Sequence, residues 1–372
     1  MPTPEAEVRV STLELFFDLV FVFTLTQMTG LLAADPDWSG LLKVVLLLSV
    51  TWWIYDGYVW LTNSLALDAL GHRLLLLGGM GGFLIMALAI PTTFDEGGVA
   101  FGVGYLAVVA LHSGLYLRAT SASQAAAIRG IVPYNVAAAL ALLAAGLVDG
   151  AAKWTLFTAA AVVLWAVPFI VAIEGFRITA SHFAERHGLV IIVALGESIV
   201  VLGVGAAGEE VGLELGLISL LALALSASLW WTYFSNEGEL ERGLEAAPEA
   251  GRPRLAVNAF GYAHFFLLLG VVLLAAGLKK AIPDPLEPLS DGTAAVLAVG
   301  TAMFLAANAW LLRLLRLPHG GVLLVASVVS LATIPLGAEA SAWSQLAALT
   351  AVVAAAIVSD RRRAGTARPT AR

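Results

Sequence analysis

The sequence predicts an all-α polytopic membrane protein of about twelve transmembrane helices, and three observations carry that prediction. The 372 residues are 60% hydrophobic and only 13% charged, with a mean hydropathy of +0.90, whereas soluble domains are roughly half apolar and about a quarter charged. The apolar residues gather in runs of about 20, the length at which a helix rising 1.5 Å per residue crosses the hydrocarbon core. None of the runs alternates with period two, as the strands of a membrane barrel would.

The first run, 12–32, carries Glu14 and Asp18 at i, i+4, which places both carboxylates on one helical face. No small-residue cleavage pattern follows it, so it is expected to remain as a helix rather than leave as a signal peptide. The second, 39–62, holds Trp52, Trp53, Tyr55, Asp56, Tyr58 and Trp60, and its aromatic rings suit an interfacial belt. The run 70–91 begins near His72, and the runs 98–117 and 130–148 carry His112 and Asn135 as single polar residues, expected to form interhelical hydrogen bonds. Pro168 within 154–173 is expected to kink or hinge its helix, and Glu174 and Arg177 follow at i, i+3.

Glu185 and Arg186 lead into the run 187–206, which contains Glu197. The run 213–235 ends in Trp230, Trp231 and Tyr233; 255–278 contains His264; and 292–312 contains Asn308, a third expected interhelical hydrogen bond. The runs 320–337 and 340–359 complete the set ahead of a basic tail, 360–372, with Arg361, Arg362 and Arg363. Glycines spaced by four at Gly78/Gly82, Gly98/Gly102 and Gly212/Gly216 fit close helix packing.

Assigning loops alternately to the two faces places sixteen of the twenty basic residues on one side and leaves Lys43, Lys153, Lys279 and Lys280 on the other. Basic residues are retained inside, so both termini are expected in the cytoplasm of a cell whose inner membrane holds the chain.

Composition also excludes several function classes. With no cysteine, disulfides, thiolate metal sites and thiol chemistry are out. A net charge of −7 argues against nucleic acid as a partner. No phosphate-binding G-x-x-x-x-G-K-[ST] loop, H-E-x-x-H zinc motif or G-x-S-x-G nucleophile elbow occurs, so no enzyme activity, cofactor or metal is expected.

An internal repeat is visible. His72–Pro91 reads HRLLLLGGMGGFLIMALAIP and His264–Pro283 reads HFFLLLGVVLLAAGLKKAIP; eight of twenty positions agree without a gap, including His72/His264, Gly78/Gly270 and Pro91/Pro283. Trp52-Trp53-x-Tyr55 and Trp230-Trp231-x-Tyr233 occupy equivalent places in spans two and eight. Two homologous halves are expected, 1–176 and 177–359. Six spans in each make the repeat parallel, about an axis along the membrane normal.

Depth selects the candidate residues. Asp18 lies nine residues past Arg9, roughly 13 Å along a helix, and Glu197 eleven past Arg186, roughly 16 Å and near the middle of the core. Burial in hydrocarbon disfavours the charged form of an unpaired acid, which is how proton-coupled carriers use carboxylates. Asp18, Glu197, Glu14, Asp56 and His264 are therefore candidate proton, ion or substrate groups. Glu174, Arg177, Glu185 and Arg186, nearer the interface, are candidates for a buried clamp between helices, a role open to Glu14 as well.

The segments Glu14-Leu-Phe-Phe-Asp18-Leu-Val-Phe-Val-Phe and Glu185-Arg-His-Gly-Leu-Val-Ile-Ile-Val-Ala-Leu-Gly196-Glu197-Ser198, with the Trp52-Trp53 pair, resemble the bacterial low temperature requirement protein A family over nearly the whole chain. The resemblance implies a polytopic inner-membrane protein named for a cold-growth phenotype, and its motifs fall on Glu14, Asp18, Glu185, Arg186, Gly188, Gly196 and Glu197. It supplies no substrate. The leading expectation is a secondary transporter or proton- or cation-coupled carrier of a small solute or ion, with the lipid bilayer as its surroundings. The alternatives are a non-transporting sensor or scaffold for cold tolerance with structural acids, and an intramembrane enzyme acting on lipid.

Overall fold

The computed structural model describes residues 10–64, 69–119, 121–173, 175–205, 212–318 and 320–366. Glu174 lies outside the described residues, as do residues 367–372 of the tail. Among the described residues the regular structure is helical throughout, with no strand. Twelve segments are long and apolar enough to cross a bilayer, the number expected from the sequence.

The helices are α1 (Thr12–Ala34), α2 (Trp38–Ser64), α3 (Leu70–Ala89), α4 (Gly98–Ala119), α5 (Ala122–Ala145), α6 (Gly150–Ile170), α7 (Ala180–Gly205), α8 (Leu213–Phe234), α9 (Glu237–Glu245), α10 (Arg252–Ala256), α11 (Ala263–Ala281), α12 (Asp291–Leu314), α13 (Gly320–Leu331) and α14 (Ala342–Thr366). Side-chain caps mark the starts of α5 and α12. Ser121 and Gln124 form a reciprocal capping box at α5, and Ser290 accepts from the Thr293 amide at α12.

The chain gathers into two compact units that interleave along the sequence. One takes in the chain up to Met28, Leu42–Val190 and Glu241–Gly261; the other takes in Thr29–Leu41, Ile191–Leu240 and the chain from Tyr262 onward. Within the first, α3 packs on α4, α4 on α5 and α5 on α6. Within the second, α11 packs on α12, α12 on α13 and α13 on α14, and α14 also packs on α8.

Glycines set the closest helix crossings. A Cβ on Gly102 would lie 2.5 Å from Leu143 Cα, and one on Gly82 would lie 2.4 Å from Val108 Cγ2 and 3.2 Å from the Gly104 carbonyl, so α4 meets both α5 and α3 at backbone distance. In the other unit Gly270 and Gly300 face each other in the same way across α11 and α12. The spacing at Gly212/Gly216 does not act like this, because Gly216 has no neighbour within 4 Å of its Cβ position.

All three expected interhelical hydrogen bonds form. Trp53 Nε1 donates to Asn135 Oδ1 at 2.9 Å, His112 Nε2 donates to the Gly57 carbonyl at 3.0 Å, and Asn308 Nδ2 donates to Thr232 Oγ1 at 3.3 Å. Such bonds contribute about 1 kcal/mol each in membrane bundles and fix rotation about the helix axis.

Three details depart from the sequence reading. The run 255–278 is not one α-helix: α10 passes through a π-helical stretch, Val257–Tyr262, before α11. The wider turn leaves the Gly261 carbonyl free to accept from Trp52 Nε1 at 2.8 Å. Pro168 is not a mid-helix hinge, since α6 stops two residues later and the Pro168 carbonyl accepts from Arg254 Nη1. Finally, Trp52, Tyr55 and Tyr58 are at most 2% exposed and do not form a belt. They pack on α1 rings instead, with Phe21 stacked 4.0 Å from Tyr55 and Phe17 5.0 Å from Tyr58. Trp230 and Trp231 of α8 do face outward.

Candidate functional site

Three helices of the first unit bring charged and polar side chains together in an apolar interior. The start of α1 places the acids. Ser11 precedes the helix, accepts from the Glu14 amide and donates its own N–H and Oγ–H to Glu14 Oε2, both at 2.8 Å. This is the Ser-x-x-Glu capping box, and it orients Glu14 before any tertiary contact forms. Asp18 lies one turn further along the same face and is fully buried.

Helix α7 supplies the bases. His182 and Arg186 are separated by one turn and share a face, while His187 points about 100° away around the helix. Arg186 Nη1 donates to Asp18 Oδ2 at 2.9 Å, and its Nε lies 3.9 Å from Glu14 Oε1. The other Asp18 oxygen accepts from Tyr55 Oη at 2.6 Å. His182 Nε2 approaches Glu14 Oε1 at 3.2 Å. Both Asp18 oxygens are thus engaged, and Arg186, 1% exposed, is committed to the two α1 acids.

Beside this triad, α2 and α7 make a second pair. Asp56 Oδ1 lies 3.1 Å from His187 Nε2, and Asp56 Oδ2 accepts from Trp60 Nε1 at 3.1 Å. His187 Nδ1 lies 2.8 Å from the Phe183 carbonyl. A carbonyl oxygen can only accept, so Nδ1 carries hydrogen. A neutral imidazole would then turn the lone pair of Nε2 toward a carboxylate oxygen. The contact is favourable only if one further proton sits between His187 and Asp56, either on the ring or on the acid. Three rings enclose the imidazole: Phe183 at 4.6 Å, Phe260 at 5.0 Å and Trp52 at 6.0 Å between centroids.

Residues 9–358 match the family profile of the bacterial low temperature requirement A protein (LtrA), a match that takes in both acidic segments and reaches into the last of the twelve helices that, among the described residues, can cross a bilayer. The chain belongs to this family. It is also similar to an uncharacterized protein of Rhizobium meliloti (strain 1021), 27% identical over an alignment of 322 residues that covers 82% of this chain and 78% of that protein. Of the residues that carried the resemblance, Glu14, Asp18, Glu185, Arg186 and Gly188 lie in the first unit, and Gly196 and Glu197 in the second. Glu185 Oε2 accepts from the Val10 amide at 3.3 Å, which links α7 to the segment entering α1.

The other expected residues are placed elsewhere. Glu197 is buried on α7 eleven residues beyond Arg186, in the second unit. His264, also in the second unit, is fully buried and lies 2.8 Å from Tyr233 Oη, with a phenol rather than an acid at that distance. Arg177 is exposed, and its expected clamp partner Glu174 lies outside the described residues. The sequence reading passed over His182, His187 and Asn63 and assigned Tyr55 to a belt. The signal that could have found the histidines is their spacing from Arg186, one turn before and one residue after. Among the described residues no group of three histidine or acidic side chains could hold a metal ion.

Proposed function

We propose that the protein is a proton- or cation-coupled secondary carrier of a small solute or ion in the bacterial inner membrane, and that Asp56 and His187 hold its exchangeable proton. The observation that carries this reading is the hydrogen-bond arithmetic at His187: one labile proton is required between two side chains buried in a membrane-spanning bundle. Ionisable groups at such depth are costly and are retained where they move charge. The basic-residue asymmetry supports cytoplasmic termini. Matching glycine crossings in α3/α4 and α11/α12 support two repeated halves.

The structural reading is favoured for Asp18 by its partner, since the Arg186 guanidinium keeps its protons whereas the imidazole beside Asp56 can lose one. Asp18 and Arg186 then form the fixed pair that holds α1 against α7, and the proton moves at the neighbouring pair.

The test is flux in proteoliposomes carrying an internal pH dye, with a panel of solutes, comparing wild type with Asp56→Asn. The amide can still accept from Trp60 and can donate to His187 Nε2, so hydrogen bonding stays satisfied while the labile proton is gone. Wild-type proton-coupled flux that vanishes in Asp56→Asn with the fold intact is the expected result. Undiminished flux in the variant removes the pair from the mechanism.

A further inference from the structure

Asn63, near the end of α2, is held by the backbone of Thr179. The Thr179 amide donates to Asn63 Oδ1 at 2.9 Å, and Asn63 Nδ2 donates to the Thr179 carbonyl at 3.0 Å. Exchanging the two ends of the side-chain amide would set donor against donor and acceptor against acceptor, so its orientation is fixed. Nδ2 is also 3.3 Å from His182 Nδ1. An amide nitrogen offers only hydrogen, so Nδ1 of His182 must be the acceptor and the ring proton must lie on Nε2, facing Glu14 Oε1 at 3.2 Å.

Electrostatics pulls the other way. The groups facing His182 are Glu14 from α1 and Arg186 from its own helix, with Asp18 behind them. Two carboxylates against one guanidinium leave a buried charge of one negative unit, which protonation of His182 would cancel. The added hydrogen would sit on Nδ1 and point at the Asn63 amide, so protonation requires Asn63 to move away, breaking both bonds to Thr179. Asn63 and Thr179 also line a hollow of about 430 Å³ on the protein surface, walled by polar residues that include Ser64, Ser123, Gln124 and Arg177. One face of the Asn63 contact is thus open to water, and the other is the buried triad.

We propose that this hollow is the port through which protons reach the buried acids, that His182 is their first acceptor, and that Asn63 is a latch whose release from Thr179 accompanies each protonation. The proposal rests on the proton-coupled reading above and concerns a different pair of groups. In it Asn63 is a positioning residue, and His182 makes and breaks the N–H bond.

The experiment uses the full chain in liposomes with ¹⁵N-labelled histidine, read by solid-state NMR, with the His182 signal assigned by its loss in His182→Gln. Wild type at neutral pH is expected to show the neutral Nε2–H form. In Asn63→Asp the carboxylate keeps the bond from the Thr179 amide and accepts from Nδ1–H, so the signal should shift to the doubly protonated ring. A wild-type ring protonated at Nδ1, or an Asn63→Asp spectrum identical to wild type, overturns the latch. If Asn63→Asp fails to fold, Asn63→Ala serves: loss of the single Nε2–H form is expected, and its full retention overturns the latch.

The port is tested separately. The chain has no cysteine, so Ser123→Cys gives one thiol in the hollow, and attaching a bulky thiosulfonate there should slow hydrogen–deuterium exchange at His182 several-fold. Unchanged exchange overturns the port. These readouts need no transported solute, so absence of flux in wild type would sink the carrier reading while leaving the latch measurable.

Discussion

Asp18 and Arg186 meet at 2.9 Å with neither side chain more than 1% exposed, across a sequence separation of 168 residues. An ion pair removed from water in this way adds little net stability as a pair, but losing one member leaves the other charge stranded. Arg186→Gln strands both Asp18 and Glu14, and the expected loss is on the order of 3 kcal/mol or more. Asp18→Asn leaves Arg186 beside Glu14 and should cost clearly less. Thermal melts of the detergent-solubilised protein, read by fluorescence-detected size exclusion, would rank the two variants. The double variant is expected to be more stable than Arg186→Gln alone, since the two positions share one interaction.

The glycines divide by their surroundings, which gives a paired prediction. At Gly102 a Cβ already lies within 2.5 Å of the Leu143 backbone, whereas at Gly216 the space is open. Gly102→Leu should force α4 and α5 apart at a cost of about 3 kcal/mol or more, with loss of monodisperse protein. Gly216→Leu should leave expression and melting temperature near wild type. Equal tolerance at both positions would contradict the α4/α5 crossing.

Glu197 tests the carrier reading from the second unit. Glutamine there keeps the shape and can still hydrogen-bond while removing the exchangeable charge. Glu197→Gln is expected to insert and melt like wild type and to abolish coupled flux or cold-growth complementation. Full complementation would assign Glu197 a structural role.

Topology can be read directly. Reporters fused after Arg118 and after Arg372 should lie in the cytoplasm, and a tag between Asp95 and Glu96 should be reached from outside by an impermeant reagent. A C-terminus accessible from outside would require a different number of spans.

Much of the architecture was legible because it depends on local quantities. Twelve apolar runs became twelve spans, and His112, Asn135 and Asn308 each found the interhelical partner that a lone polar residue in an apolar helix needs. Of the site, Asp18 was visible as a charge at membrane depth, and Glu14 and Arg186 as charges nearer the interface. Asp56 stood out as an acid among aromatic rings. Helix-level deviations were not legible: the π-helical stretch at Val257–Tyr262 forms where Trp52 from another helix takes up the released carbonyl, a condition absent from the local sequence.

The sequence alone determined that this is a helical membrane protein of the low temperature requirement A family, because hydropathy, span length and motif are properties of contiguous residues. Only the tertiary structure decided which partners each buried charge meets. Asp18 and Asp56 look alike as acids in apolar helices and both have two engaged oxygens, yet Asp18 meets a guanidinium and a phenol, Arg186 and Tyr55, whereas Asp56 meets an imidazole and an indole, His187 and Trp60. The protonation of a buried group is set by the donors and acceptors within hydrogen-bond reach. For these acids the decisive ones, Arg186 and His187, lie more than a hundred residues away in the chain.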